Sequence, residues 1–414
     1  MNLPLILKGS LAAVDLALSP YFVFLLLVAS AAWLNRKRGP APLAPGAARP
    51  RFLFVVPAHN EESGVAETVR SLLGVDYPRD RFDLTVIADN CDDATADVAR
   101  KAGAHVVERF DAQRKSKGFA IEHLIDRLKA EGAFEGYDAL VIVDADSTVD
   151  QNLLERFAAQ LNAGRDWAQC HYAVSNADDS WRTRLMAYAF SLFNGMLPMG
   201  LGALGLGVPF RGNGMCLSTR GLSRFPWKAY GLVEDIEFSW DLRVSGERPA
   251  FEAGATVRGV MLSGGGAAAS SQRRRWEYGR KDVTRKFLRQ ATTSPHLGPF
   301  AKAAAIVELT MPGTVTLGFI YLGVAALNLV GFVWWREPLM AVWIALSTLA
   351  MALYALGPFV FFGIPWRYVL SLARLPYYAG WKAWVALQGR PGGWVRTARE
   401  PNPSAGENAG RPAR

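Results

Sequence analysis

Ala139-Leu140-Val141-Ile142-Val143-Asp144-Ala145-Asp146 is five apolar residues in a row, closed by two acids one residue apart. So short an unbroken apolar run reads as a strand covered on both faces, the pattern of a parallel sheet. Carboxylates at the mouth of such a strand cost free energy unless a ligand uses them. Outward from it the pattern repeats. Strand candidates Phe52–Val56, Leu84–Ala88, His105–Glu108 and Gln169–Val174 alternate with helical periods at Glu62–Leu73, Thr95–Ala102, Phe119–Lys129 and Gln151–Leu161. This alternation predicts an α/β fold with a Rossmann-like, mostly parallel sheet. Ligands of such sheets bind beyond the carboxyl ends of the strands. The polar residues stand there: Asp89-Asn90 and Asp92-Asp93 after the second strand, Asp144 and Asp146 after the fourth.

The rest of the chain is more apolar than a water-soluble enzyme needs. Of its 414 residues 50% are hydrophobic and 20% charged, with a mean hydropathy of +0.09, so part of it belongs in lipid. The first apolar stretch, Leu11–Leu34, is followed by Asn35-Arg36-Lys37-Arg38. A signal peptide carries its charges before the apolar run, so residues 11–35 read as an uncleaved anchor with a cytoplasmic C-terminal end. Asp15 falls near the outer end of that anchor, where a charge costs less. Residues 39–50, rich in Pro, Ala and Gly, read as a linker, and 50–300 as a cytosolic domain.

Two further spans are expected at 309–335 and 339–362, joined outside the membrane by Arg336-Glu337-Pro338. Residues 364–414 should then be cytosolic, an interfacial helix followed by a disordered tail, because Arg367, Arg374, Lys382, Arg390, Arg396 and Arg399 lie there. Together these predict a multi-pass protein of the inner (cytoplasmic) membrane. Leu185–Phe210 is nearly as apolar, but a span there would put the polar motifs on opposite sides. It reads as a membrane-surface or re-entrant element that guides a lipid or saccharide acceptor, with ordinary buried core as the alternative. The net charge of +9 suits lipid headgroups, topology or a phosphorylated substrate. No nucleic-acid module is present, and nucleic acid is not expected as a partner. Cys91, Cys170 and Cys216 show neither disulfide nor metal spacing.

Phe52-Leu53-Phe54-Val55-Val56-Pro57-Ala58-His59-Asn60-Glu61 resembles the opening strand of family-2 glycosyltransferases, and Ile87-Ala88-Asp89-Asn90-Cys91-Asp92-Asp93 resembles their second. Lys117-Gly118, Asp144-Ala145-Asp146, Glu234-Asp235 and Gln272-Arg273-Arg274-Arg275-Trp276 follow in the family's order. The set is similar to that of the cellulose-synthase-like and hyaluronan-synthase-like membrane branch, over residues 51–280. The resemblance implies a GT-A type sheet with transmembrane helices at both ends. It implies transfer of a hexosyl unit from a nucleotide sugar, a UDP-sugar, to a saccharide or lipid-linked saccharide in exopolysaccharide or cell-envelope synthesis.

It also implies roles. Pro57, Ala58 and Glu61 would line the nucleotide pocket, and Asp89, as an acceptor-only carboxylate, would read a base N–H. Asp92 and Asp93 have helix capping as their alternative. Lys117 would approach the donor phosphates or, otherwise, be a solvated lysine. Asp146 with Asp144 would hold Mg²⁺ or Mn²⁺, hard ions suited to carboxylate and phosphate oxygens, with Asp144 also near the ribose. Asp235 would be the general base of an inverting reaction, with Glu234 and Glu237 as the alternatives and only Asp235 matching the family's acid. Gln272, Arg275 and Trp276 would bind acceptor or phosphate. The basic run after them, through Arg289, also reads as a juxtamembrane patch. Ser263-Gly264-Gly265-Gly266-Ala267 would be a loop closing over the donor, and Phe210–Met215 would face the acceptor.

Two other readings stay open at this stage. One is a non-processive transferase that adds a single sugar to a lipid-linked intermediate. The other is a non-catalytic partner of polysaccharide export components. A dinucleotide oxidoreductase is excluded, because Pro57–Glu61 stands where Gly-x-Gly-x-x-Gly is required.

Overall fold

A computed structural model describes residues 3–35, 43 and 46–389. Arg36–Arg38, Arg390, Arg396 and Arg399, on which much of the expected topology rests, lie outside the described residues, as does the tail 390–414. Helix α1 spans Leu3–Leu34 and leads to β1 (Phe52–Ala58), α2 (Val65–Leu73), β2 (Phe82–Asp89), α3 (Thr95–Lys101), β3 (His105–Arg109), α4 (Lys117–Ala130) and β4 (Ala139–Ile142). After β5 (Ser147–Val149), α5 (Leu153–Asn162) and β6 (Trp167–Val174), α6 (Trp181–Ser191) continues through a π-helical turn, Leu192–Met196, into α7 (Leu197–Ala203). Then come β7 (Met215–Ser218), α8 (Thr219–Arg224), α9 (Glu234–Val244), β8 (Ala250–Gly259), α10 (Ala267–Thr293) and α11 (Pro299–Thr310). Helices α12 (Thr314–Trp335), α13 (Pro338–Phe361) and α14 (Leu375–Leu387) complete the described fold.

The eight strands form one sheet in the order β3-β2-β1-β4-β7-β6-β8-β5. β1, β2, β3 and β4 are mutually parallel, β7 runs antiparallel to β4 and β6, and β8 is parallel to β6. The fold is therefore α/β with a mostly parallel, mixed sheet. Its central strands are apolar without interruption because both faces are covered. Phe52, Phe54 and Val56 pack under α2 and α5, while Leu53, Val55, Leu140 and Ile142 pack under α4. The short antiparallel strands β5 and β7 escape sequence reading, since three or four residues give too little period to detect.

Among the described residues four helical segments are long and apolar enough to cross a membrane: Pro4–Leu34, Trp181–Ala203, Thr314–Trp335 and Pro338–Phe361. The second differs in kind, with 67% of its most apolar window buried inside the protein against 22%, 17% and 22% for the others. It packs between β6 and the pair α1 and α13, so protein covers most of its apolar surface. Asp15 stands well inside α1, not near its end as the sequence suggested. Its Oδ1 accepts from Asn328 Nδ2 of α12 at 2.8 Å, which satisfies a polar group that lipid could not. At Arg336, φ is +55°, the left-handed turn that reverses the chain between α12 and α13. Arg243 on α9 grips Glu308 on α11 through two hydrogen bonds of 3.0 and 2.6 Å, tying the sheet domain to the apolar helices.

Candidate active site

Register builds the site's floor. β1 aligns Ala58 with Ala88, β2 aligns Asp89 with Arg109, and Val143 N donates to Val55 O at 3.0 Å. Pro57–Ala58, Asp89 and Asp144 thus leave the sheet along one edge. Because β7 runs back along β4, the turn before it returns to that edge. Gly214 N donates to Ile142 O at 2.9 Å, and Asp144 N donates to Asn213 Oδ1 at 3.1 Å. Asn213 Nδ2 donates to Ser147 Oγ at 2.8 Å, and Ser147 Oγ to Asp146 Oδ1 at 3.1 Å. Fully buried Gln169 fixes the turn from below, accepting from Arg211 N and donating to Asn213 O, both at 2.8 Å.

Lys117 opens α4 and reaches across this floor. Its Nζ donates to Asp144 Oδ1 and to Gly212 O. Gly118 makes the approach feasible, since a Cβ there would run into the Ala229 carbonyl. At Gly212, φ is +76°, and a Cβ would stand 3.2 Å from Asp235 Oδ2 and 3.7 Å from Lys117 Nζ. The bare backbone is what lets the turn pass between acid and amine. Burial pushes the Lys117 pKa down, but Asp144, Glu234 and Asp235 outweigh it and hold the amine above its ordinary value.

Glu234 and Asp235 occupy the first turn of α9, where a helix N-terminus favours anions. Burial wins nonetheless. It raises both carboxyls, Glu234 up to about 7 with Asp235 as its second cause, while Asp235 is held back by its backbone hydrogen bond and by Lys117 and Arg211. The two titrate as a pair. A folded-state pKa above the unfolded one means stability is whole at low pH and is lost as pH rises from 4.5 through about 7. Glu234→Gln should therefore raise the melting temperature of the ligand-free chain at pH 8 and leave it unchanged at pH 4. Equal melting shifts at the two pH values would contradict this.

Twelve of the residues singled out from sequence line one cavity of about 2120 Å³: Pro57, Ala58, Glu61, Asp89, Lys117, Asp144, Asp146, Glu234, Asp235, Gln272, Arg275 and Trp276. That is more than twice the roughly 300–1,000 Å³ of an ordinary ligand site. Gln272, Arg275 and Trp276 sit on the first turns of α10, a helix, with only the glycine run before it in loop. Burial lowers the Arg275 pKa while Glu234 and Asp144 raise it, so this guanidinium faces both acids.

Asp92 and Asp93 are engaged locally. Asp93 accepts from Thr95 N at 2.9 Å and Glu62 N at 3.2 Å, fixing the start of α3, and Asp92 pairs with Asn60. Asp93 thus orders the turn into α3, whose N-cap residue is Ala94 with no side-chain cap, and Asp92 does not reach the helix. Sequence reasoning missed Arg109, whose NH1 holds Asp89 Oδ1 at 2.6 Å with both side chains buried. The signal was available, because acid and base close neighbouring parallel strands. Gln169 and Ser147 carried no such mark.

The chain matches the family model described as "Glycosyltransferase like family 2" over residues 50–279, more than half its length. The chain belongs to that family. Among curated members of similar sequence, the beta-monoglucosyldiacylglycerol synthase of Synechocystis sp. is 24% identical over 222 residues, 50% of this chain and 45% of that protein. Glycosyltransferase AglD of Haloferax volcanii is 29% identical over 30% of this chain and 20% of its own length. The chain thus spans half or less of the curated relatives it matches. Among solved structures, the mannosyltransferase PcManGT from Pyrobaculum calidifontis, in complex with GDP-Man and Mn²⁺, superposes with a TM-score of 0.53 at 18% identity. It covers 84% of this chain and 98% of its own, which establishes a shared GT-A fold.

In this family member the Asp144–Asp146 pair can be tested as a cation site. No group of three or more His, Cys, Asp or Glu residues converges among the described residues. Two carboxylates past a strand fit a hard divalent ion that takes its other oxygens from phosphate and water, and they do not fit a softer metal needing a full protein cage. Lys117 donates to Asp144 Oδ1 and Ser147 Oγ to Asp146 Oδ1, so each acid keeps a second oxygen in the carboxylate that can turn to an ion.

Proposed function

We propose that the chain transfers a hexosyl unit from a UDP-sugar to a hydroxyl of a lipid-linked or free saccharide, inverting the anomeric centre. The observation that carries this is the convergence of three elements on one cavity: the acids after β4, Lys117, and the half-buried Glu234–Asp235 pair. Asp89, braced by Arg109 through Oδ1, would accept a base N–H on its other oxygen, with Pro57, Ala58 and Glu61 around the nucleoside. Asp146, with Asp144, would hold Mg²⁺ or Mn²⁺, which when bound neutralises charge growing on the departing diphosphate. Lys117 and Arg275 would clamp the phosphates. Asp235 would take the acceptor proton opposite the leaving group, while Gln272 and Trp276 present a polar group and a flat face to a sugar ring.

Likeness to a beta-monoglucosyldiacylglycerol synthase favours a single addition onto a lipid over extension of a polymer. A donor screen tests the whole reading. Membranes holding the chain are given UDP-glucose, UDP-N-acetylglucosamine or GDP-mannose, and released nucleotide and product mass are read together. Nucleotide release without a glycosylated product from every donor counts against it. A ladder of product lengths would restore the polymerising alternative.

For topology we keep the sheet domain on the cytoplasmic face of the inner membrane and the Arg336–Glu337 turn outside. A cysteine introduced at the turn should react with an impermeant maleimide added to intact cells, and one on α5 should not. The opposite pattern inverts the assignment.

A further inference from the structure

The cavity is much larger than a nucleotide sugar needs, and its surplus is not uniform. One wall is a single face of α10, where Arg273, Trp276, Glu277 and Arg280 recur at i, i+3, i+4 and i+7. Lys382 of α14 closes on the same face. Glu277 accepts from Arg273 at 2.5 Å and from Lys382 at 3.0 Å, so two cations share one acid, while Arg280, on the same face, donates to the Met311 carbonyl. The next nearest acid to Arg280, Glu308, is already held by Arg243. An excess of positive charge in a half-buried wall is costly unless an anion joins it. Burial accordingly pushes the Lys382 and Arg280 pKa values down.

The cationic end passes directly into an apolar one. A Cβ at Gly313, just before α12, would stand 3.2 Å from Lys382 Nζ and 3.6 Å from Arg280 NH1. From there Val315, Gly318, Phe319 and Leu322 continue the cavity wall along α12 for about 13 Å at the helical rise. Phe319 and Leu322 are 41% and 61% exposed on a helix long and apolar enough to cross a membrane, so the apolar end of the cavity borders the expected lipid region. Towards the acids, Arg275 on the same helix is within electrostatic reach of Glu234 and Asp144, and one continuous cavity joins the cationic cluster to Glu234–Asp235.

We propose that the acceptor is a lipid in which a phosphate joins the apolar tail to the hydroxyl-bearing head, and that Arg273, Arg280 and Lys382 receive that phosphate. The tail leaves along α12, and the head spans the gap to Asp235. This inference rests on the glycosyl-transfer reading above for the identity of the occupant, but its test does not depend on turnover. Full-length chain in neutral detergent is incubated separately with phosphatidylglycerol, diacylglycerol, glycerol phosphate or UDP, and retained ligand is read by native mass spectrometry.

Phosphatidylglycerol should be retained at least about tenfold more tightly than diacylglycerol, the value of one charge-assisted hydrogen bond, and more tightly than tailless glycerol phosphate. Arg280→Gln/Lys382→Gln should lose that preference, whereas the outward-facing control Arg285→Gln/Arg289→Gln should keep it. Equal retention of diacylglycerol removes the phosphate from the proposal, and equal retention of glycerol phosphate removes the lipid. Equal loss in both double variants reduces the cluster to general surface charge. Failure to retain UDP would instead count against the proposed function, and the phosphate preference is read independently of it.

Discussion

Asp235→Asn is expected to leave nucleotide binding intact and to reduce transfer by about two to four powers of ten, the range for loss of a general base. Asn is nearly isosteric and can still accept a hydrogen bond beside Gly212, but it cannot take up the acceptor's proton. The main rival is Glu234, whose carboxyl is pushed up to about 7, close to the value a base working near neutrality would have. The pair is separated by measuring UDP affinity and single-turnover transfer on Asp235→Asn and Glu234→Gln side by side. Near-normal transfer by Asp235→Asn, with transfer lost in Glu234→Gln, would move the base one residue and void the assignment. If Asp235 acted only by balancing Lys117 and Arg211, its loss would weaken nucleotide affinity or stability together with rate.

Asp146→Ala is expected to cost about a thousandfold or more in transfer and to escape rescue by excess metal. Asp146 lies beyond a fully buried strand, engaged by Ser147 on Oδ1, while Asp144 is occupied by Lys117. Removing it therefore takes away one of the two carboxylates that stand beyond β4. Mn²⁺ should tighten UDP binding to the unmodified chain and have no effect on the variant, with the melting temperature unaltered. Transfer that returns to the unmodified rate across a Mn²⁺ titration would remove Asp146 from the cation site.

The parallel half of the sheet was legible because each strand is a short apolar run buried on both faces and each intervening helix carries its own period. The acids at the strand ends were legible for the same reason, since position beyond a buried strand marks them out from surface carboxylates. Asp235, Gln272 and Arg275 were legible only through the family's motif order. Nothing in their local pattern separates an acidic helix start, or a basic helix, from a solvated face.

What the sequence by itself determined is thus whatever depends on local apolar periodicity and on the order of motifs: the α/β class, the apolar helices near each end, and the list of site candidates. What only the tertiary structure decided depends on residues far apart in the chain. The antiparallel return of β7 brings Gly212 and Asn213 to Asp144, and the register of β2 with β3 sets Arg109 on Asp89. The partner of Asp15 comes from Asn328, 313 residues away. Trp181–Ala203 follows the same logic, being apolar enough for lipid yet mostly covered by β6, α1 and α13. Composition sets how strongly a segment avoids water, but whether protein or lipid shields it is fixed by which neighbours the fold supplies.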